Sequence, residues 1–378
     1  MHILYTNFHP GDGGGHTTYL ASLIRGLRGR HRLTLAAPAG GRLNRIAREI
    51  GIEVIDFDFP GGFRPGQIWR SARRLALLFE RQSVDLIHVN GSRDHWIAVW
   101  ASLLCRGRRP AIVWTKHNSN RIKRDLPNWF RARFFADHTI AVCRSVARQV
   151  EASAYGAHGV TTIGLGIDTG HFAQSVAQES RSALRAQWGA GEGDLVIGSV
   201  AGTAPYKSWI TMAEALALLT DAERRRLIVV VAGEPPDEFR KAQVASLGVA
   251  DRMIFPGLAA DVRPLVTAFD AGFVLSRSIE AASYAHREMM AMGRPVLASA
   301  FGGLPENLHD GIDGWIVPAG DAQAVADWLR RLLAQVFDLT EMGRMARRHA
   351  EESFAERISL EATAAVYERV LRARAAGR

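Results

Sequence analysis

Two cysteines, Cys105 and Cys143, are all that a chain of 378 residues contains. That excludes a disulfide-built scaffold, and no ligand spacing of a structural zinc site surrounds either one. No apolar run is long enough to span a bilayer. Met1 leads directly into the strand-like His2-Ile3-Leu4-Tyr5, without the basic and apolar segments of a signal peptide, so the expected location is the cytosol. Internal repeats and low-complexity tracts are absent too. What remains is a globular composition, 47% hydrophobic and 22% charged, on a chain long enough for two domains and a cleft between them.

Acidic residues are scarce in one half only. Residues 1–168 carry 24 Lys+Arg against 12 Asp+Glu, whereas the remainder carries 23 against 26, so the net charge of +9 belongs to the first half. Such asymmetry suits an anionic partner: a membrane surface, a phosphorylated glycolipid or nucleic acid. An arginine-rich solvated surface explains the same count.

Short β-branched runs alternate with longer stretches of helical spacing. They are His2–Thr6, Leu33–Ala37, Glu53–Phe57, Leu86–Val89 and Ile112–Thr115, and after a loop region around Gly164 to Gln178 the rhythm restarts with Val196–Val200, Leu227–Ala232, Met253–Phe255, Gly272–Leu275 and Pro295–Ala298. This βαβ rhythm predicts an α/β protein of two doubly wound parallel-sheet, Rossmann-like domains facing across a cleft. The first spans 1–168 and the second 169–354, with a closing Ala/Glu/Arg-rich helix near 355–378 packing back onto the first. Ligands of such sheets bind beyond the carboxyl ends of the strands, which directs attention to the residues following each one.

After the run ending at Leu275 comes Ser276-Arg277-Ser278-Ile279-Glu280, and Glu288 follows eight residues later. Ser283 reads as an N-cap, Gly293 as a C-cap, and Pro295 stops continuation, so 284–292 should be helical. The helix start near Tyr284 and Ala285 offers free N–H groups and a positive dipole end that suit a diphosphate. A carboxylate one turn further in, Glu288, can accept two hydrogen bonds from a ribose diol, and Glu280 in the preceding loop can reach a sugar hydroxyl. Spacing alone is weak evidence, since two glutamates eight apart are common on exposed helices.

The surrounding string is specific. Together with Ala300-Phe301-Gly302-Gly303-Leu304-Pro305-Glu306 and Asp310-Gly311-Ile312-Asp313-Gly314, the segment closely resembles retaining glycosyltransferases of family four with the GT-B fold. The likeness extends over the chain: Gly13-Gly14-Gly15 after the first strand resembles the family's glycine loop, and Asp85-Leu86-Ile87-His88, Thr115-Lys116-His117 and Ala136 to Val142 resemble other family segments. Gly166-Ile167-Asp168 resembles the end of an interdomain motif, with Leu165 where asparagine is usual.

The resemblance implies transfer of a hexose or N-acetylhexosamine from a nucleotide sugar. UDP is the base the family uses most, and GDP and ADP also occur. It assigns His117, Glu280 and Lys207 to the catalytic centre, with His117 positioning rather than serving as a base. Gly14, Gly15, Thr203, Lys207, Arg277, Tyr284, Ala285 and Glu288 are expected to hold the donor. One departure matters: the family's Gly-Arg-Leu sequence reads Ala201-Gly202-Thr203 here, so a phosphate-neutralising arginine is missing. Arg277 is the candidate substitute. No cofactor or metal is expected, and Asp56-Phe57-Asp58, which imitates a metal-binding triplet of another fold, reads as loop chemistry.

On the acceptor side, Asn7, His16, Asn118 and Arg121 are the candidates. Arg121, Lys123, Arg124, Arg131 and Arg133 are interleaved with Trp129, Phe130, Phe134 and Phe135, a mixture suited to peripheral contact with anionic lipid on the cytosolic face of the inner membrane. The alternative is that the aromatics pack inward and the arginines stay solvated. The expected acceptor is a glycolipid or saccharide such as lipopolysaccharide core. Rival readings are a sugar-nucleotide epimerase of the same fold, a nicotinamide enzyme, for which Gly11 to Gly15 has the wrong glycine spacing, and a nucleic-acid-binding protein, which leaves the glutamate segment without purpose.

Overall fold

Runs as short and apolar as Leu86-Ile87-His88-Val89 are stable as strands only when both faces are covered, and every residue of this one is buried. A computed structural model of the chain describes residues 1–11, 14–62, 64–173 and 178–376; Gly13 of the expected glycine loop and part of the loop before Gln178 lie outside them. The chain divides into two units, Met1–Gly166 with Glu356–Arg378, and Ile167–Ala355.

The first unit holds β1 (His2–Thr6), β2 (Arg32–Ala37), β3 (Glu53–Asp56), β4 (Leu86–Val89), β5 (Ala111–Lys116), β6 (His138–Ala141) and β7 (Val160–Thr162). They form one parallel sheet in the order β3-β2-β1-β4-β5-β6-β7. The second holds β8 (Leu195–Ser199), β9 (Leu227–Val231), β10 (Met253–Ile254), β11 (Ala271–Val274), β12 (Val296–Ser299) and β13 (Gly314–Val317), ordered β10-β9-β8-β11-β12-β13. The strand order reverses between β1 and β4 and between β8 and β11. At such switch points the loops diverge and leave a crevice for ligand. The strands β6, β7 and β13 were not among the expected runs: β6 opens with the polar His138 and Thr139, and β13 lies inside the Asp-Gly motif.

The closing helix, Glu356–Ala376, belongs to the first unit. Its Tyr367 is fully buried, and the hydroxyl meets His88 Nδ1 at 2.5 Å while His88 Nε2 meets Thr115 Oγ1 at 2.6 Å. Leu360 of this helix leaves no room for a side chain at Gly26, where an added Cβ would stand 2.2 Å from Leu360 Cδ1. Burial holds His88 neutral, its pKa lowered to about 3, so this core bond does not titrate near neutrality. In the second unit hydrophobic clusters cover both sheet faces, and Phe269 seats against Gly198, where a Cβ would come within 2.2 Å of the ring.

Candidate active site

The loop after β11 delivers Glu280 into a buried position, 7% exposed. Its Oε2 accepts from Lys207 Nζ at 2.7 Å and from Ser276 Oγ at 3.0 Å. Lys207 comes from the loop after β8, so the switch point brings the two charges together. Ser276 is itself fixed, since Ser299 Oγ donates to its carbonyl at 2.6 Å. Both side-chain bonds fall on one carboxylate oxygen. Oε1 has no protein partner among the described residues and is left to accept from a ligand hydroxyl.

Backbone geometry aims this carboxylate. Glu280 N donates to Ser278 O at 2.8 Å, closing a three-residue turn around Ile279, whose φ of 65° is unusual for a β-branched residue. Gly302, at φ +59°, lies directly against this turn: an added Cβ would stand 1.9 Å from Glu280 O. The Gly-Gly-x-Pro-Glu segment is therefore a backbone rest for Glu280.

The helix Tyr284–Ala291 starts where capping predicted, with Ser283 Oγ accepting from His286 N at 3.3 Å. Arg287 N donates to Ser283 O at 3.4 Å, which closes the first turn of the helix. Glu288 is half-buried, and its carboxylate has no hydrogen-bond or ion-pair partner among the described residues. Desolvation raises its pKa to about 7. Such a carboxyl gains from a ligand that donates two hydrogen bonds to it.

Gly202 explains the missing arginine physically. Its φ is +89°, and a Cβ at Gly233 would come within 2.7 Å of Gly202 Cα, so the turns after β8 and β9 touch through glycine backbone. Thr203 follows, its hydroxyl donating to Glu234 O and its carbonyl accepting from Trp209 Nε1 at 2.8 Å. Arg277 is exposed and packs on Gly320, and its Nε donates to Ser208 Oγ at 3.2 Å, next in sequence to Lys207. A guanidinium thus stands beside the Lys207 loop although none occupies position 202.

In the first unit the loops after β1 and β5 and the start of the helix Gly15–Leu27 gather imidazoles. His16 lies 4.7 Å from His9 and 4.2 Å from His117 between ring centroids, and Phe8 stacks on His9 at 4.0 Å. His117 Nε2 stands 3.0 Å from Asn90 Oδ1. Asn90 Nδ2 donates to the carbonyls of Thr6 and His88 at 3.0 and 3.4 Å, which leaves its oxygen facing the ring. His117 must therefore donate through Nε2 and carry its lone pair on Nδ1. Burial first, then the neighbouring imidazoles and Lys116, hold His117 well below the usual histidine range. His16 is lowered to about 4 by burial and His9. The cluster is neutral at physiological pH.

The other sequence candidates are placed less uniformly. Gly14 is the N-cap of the helix Gly15–Leu27 at φ 97°, and both glycines are exposed. Asn7 is buried and bonded to the backbone of His9 on both sides, at 3.3 and 3.4 Å, so its amide shapes the turn rather than facing outward. Asn118 Oδ1 accepts from Lys116 Nζ at 3.1 Å, and Arg121 is exposed. The expected basic helix is shorter than its sequence pattern, Leu126–Phe135, leaving Arg121, Lys123 and Arg124 in the preceding loop. Arg131 is not solvated: it is 3% exposed, with Trp96, Trp114 and Tyr155 around its guanidinium. Conversely Leu126, Trp129 and Phe134 are exposed, and only Phe135 turns inward. Asp56 is the last residue of β3 rather than a loop residue, and it is engaged by Arg48 and Asn44 at 3.0 and 3.2 Å.

Ser276, Ser208 and Asn90 were not among the sequence candidates. Asn90 directly follows β4 and Ser276 stands two residues after β11, so the strand-end rule, applied to every strand, would have found both.

Residues 13–171 match the family model described as Glycosyltransferase Family 4, and residues 180–349 that described as Glycosyl transferases group 1. The chain is 25% identical over 351 residues to N-acetyl-alpha-D-glucosaminyl L-malate synthase of Bacillus anthracis, covering 90% of this chain and 89% of that one. It is also 25% identical over 362 residues to a GDP-mannose-dependent alpha-(1-6)-phosphatidylinositol monomannoside mannosyltransferase of Mycolicibacterium smegmatis, covering 92% of each. In fold it is similar to Anabaena HepE, solved in complex with UDP, at a TM-score of 0.79 and 20% identity, covering 98% of this chain and 100% of that one.

Proposed function

This chain belongs to glycosyltransferase family 4 with the GT-B fold, and we propose that it moves a hexose or N-acetylhexosamine from a UDP-sugar to a saccharide or glycolipid, with retention at the anomeric carbon. The observation that carries this reading is Glu280, buried, ion-paired to Lys207 and with one carboxylate oxygen unclaimed.

In this reading Glu288 accepts from the two ribose hydroxyls, and the diphosphate lies at the first turn of Tyr284–Ala291 with Lys207 and Arg277 as fixed cations. Glu280 Oε1 accepts from a hydroxyl of the donor sugar. As the bond from the anomeric carbon to the phosphate oxygen breaks, the acceptor oxygen bonds to that carbon from the same face. Its proton passes to the departing phosphate, so no separate base is required. His117, neutral and donating to Asn90, positions a hydroxyl through Nδ1. Lysine and arginine do the neutralising elsewhere done by a metal ion, and transfer should survive chelator.

A lipid-linked acceptor, such as lipopolysaccharide core, suits the exposed surface of the first unit. Leu126, Trp129 and Phe134 stand out from the helix Leu126–Phe135, and a cavity of about 560 Å³ beside it is rimmed by Lys123, Arg124 and Arg133. Apolar side chains ringed by cations match the interface of an anionic bilayer, which supports a peripheral station on a cytosolic membrane face. No helix among the described residues is long and apolar enough to cross a membrane.

The test is a thermal-shift screen of nucleotide sugars, followed by product mass on a panel of acceptors and NMR of the new anomeric centre. A UDP-sugar should raise the Tm and yield a retained glycoside. Release of an isomerised sugar without acceptor would make the chain an epimerase. Inverted product would remove the front-face route, and loss of turnover in chelator would remove metal independence.

A further inference from the structure

We propose that His309, Asp313 and His349 form a binding site for one divalent transition-metal ion of the Zn²⁺, Ni²⁺ or Cu²⁺ kind, structural in role and separate from the transfer chemistry. Asp313 is almost fully buried, and its Oδ2 takes both His309 Nδ1, at 2.9 Å, and His349 Nδ1, at 2.8 Å. The three donor atoms lie within 4.8 Å of one another. The two imidazoles are stacked, 4.4 Å apart with planes at 32°, so both present the same ring nitrogen to one point.

The frame around these atoms is stiff. His309 and Asp313 sit in the Asp-Gly loop, where Gly311 N donates to Gly314 O at 2.8 Å and Ile316 N to Asp310 Oδ1 at 2.9 Å. His309 N donates to Asp313 Oδ1 at 2.6 Å, which orients the carboxylate and leaves Oδ2 for the imidazoles. His349 comes from the helix Leu339–Ser353 and packs on Phe354 at 4.9 Å. A loop and a helix far apart in sequence therefore converge on one carboxylate oxygen.

Hydrogen bonds alone leave something over. His286 is fully buried, neither ring nitrogen has a protein partner, and the charges acting on it are Arg287 first, then Asp313 and His349. A buried imidazole without a partner is costly. Two imidazole nitrogens and a carboxylate oxygen are the ligand set of borderline ions; Mg²⁺ and Ca²⁺ prefer all-oxygen shells. With bonds of about 2.0–2.1 Å, ligand atoms around such an ion stand roughly 3.3 Å apart, so each imidazole nitrogen needs to part from the carboxylate oxygen by only about half an ångström. His309 has the room, its side chain being 64% exposed.

An ion there would tie the Asp-Gly loop to the helix Leu339–Ser353, which packs along the donor-side helix Tyr284–Ala291. The full-length chain, stripped with chelator and kept free of nucleotide sugar, is titrated with Zn²⁺, Ni²⁺ and Mg²⁺ by calorimetry and with Cu²⁺ by EPR. One equivalent of Zn²⁺ or Ni²⁺ should bind and raise the Tm, Mg²⁺ should not, and the Cu²⁺ spectrum should show two nitrogen ligands. His309→Ala, at an exposed position, should fold normally and lose at least tenfold in affinity, and His349→Ala should lose as much. Unchanged stoichiometry and affinity in His309→Ala, or no stoichiometric ion on the wild-type chain, would overturn the site and leave a hydrogen-bonded triad. Because no donor or acceptor enters the experiment, that failure leaves the transferase reading untouched.

Discussion

The two units solve the same topological problem with opposite electrostatics. At its switch point the second unit buries a charged pair, Lys207 with Glu280, and leaves Glu288 partnerless beside them. The first unit, although it carries the chain's excess cations, lines its own switch point with imidazoles that burial keeps neutral. Net surface charge thus says little about the charge of a site. In the proposed reaction the charged site would take the diphosphate, and the neutral one hydroxyl groups that must be oriented without being titrated.

The sharpest break of this contrast is to neutralise the charged pair. Glu280→Gln should lower kcat by about 10²- to 10³-fold while donor affinity changes little, as expected for a group whose contacts count most in the transition state. Lys207→Ala should lower kcat similarly, weaken donor binding because the diphosphate loses a cation, and lower the Tm, because it leaves a buried carboxylate unpaired at a cost of about 3 kcal/mol. Steady-state kinetics with melting curves read both. A Glu280→Gln variant with near-normal kcat would remove the assignment.

Next in size is a change that leaves every charge in place. Gly302→Ala sets a methyl group against Glu280 O, in a space that holds only 1.9 Å, and adds strain at φ +59°. A displacement of about 1 Å at a reacting group can cost about a hundredfold in rate. Turnover should fall by that order while donor binding, held by Glu288 and the helix, persists.

The third prediction separates the units by pH. Glu288 has its folded pKa raised to about 7 against an ordinary 4.5, so the protonated form is favoured in the free protein and the ionised form appears as pH rises through 7. For stability the sign is a penalty: the contribution is favourable at low pH and is lost between the ordinary and the raised value. For the donor the sign reverses, because the ionised form accepts the diol. Donor KM should fall by up to about tenfold from pH 6 to pH 8, and Glu288→Gln should flatten the profile. The first unit should behave otherwise. His16 and His117, both held well below the usual histidine range by burial, stay neutral across that range, so acceptor KM should be flat with pH. Asn90→Ala, which frees the His117 ring, should raise acceptor KM severalfold without moving donor KM.

The fold was legible because strand runs and turns announce themselves locally. The ten expected runs all became strands, and the missed ones were polar at the start, as in His138-Thr139, or hidden in a motif, as in Gly314-Trp315. Of the candidate site, Ser283, Glu280 and Glu288 could be placed from capping and spacing. The partnerships could not. That Lys207 meets Glu280, 73 positions away, depends on the order β8-β11, which no local pattern states. Arg131 shows the reverse error: its neighbours in sequence suggested a solvated face, and three aromatic rings distant in sequence enclose it. Asn7 was expected to face a ligand, and its amide is spent on its own turn.

The smallest expected effect concerns the strain itself. Ile279 holds φ 65° with its side chain 49% exposed, so it gains little from burial while enduring a conformation that costs an L-residue about 1–2 kcal/mol. Glycine would relieve that cost but add about 0.5–1 kcal/mol of unfolded-state entropy. The two nearly offset, and Ile279→Gly should leave the Tm within a few degrees of wild type despite deleting a large apolar side chain. What it should change is the aim of Glu280, since a glycine at the centre of the turn no longer holds the bond from Glu280 N to Ser278 O in one geometry. A drop of two- to fivefold in kcat at constant Tm, measured on the same preparation, is the expected signature. A clear loss of Tm with unchanged kcat would mean that the residue serves packing. The strained turn would then be incidental to the charged half of the comparison.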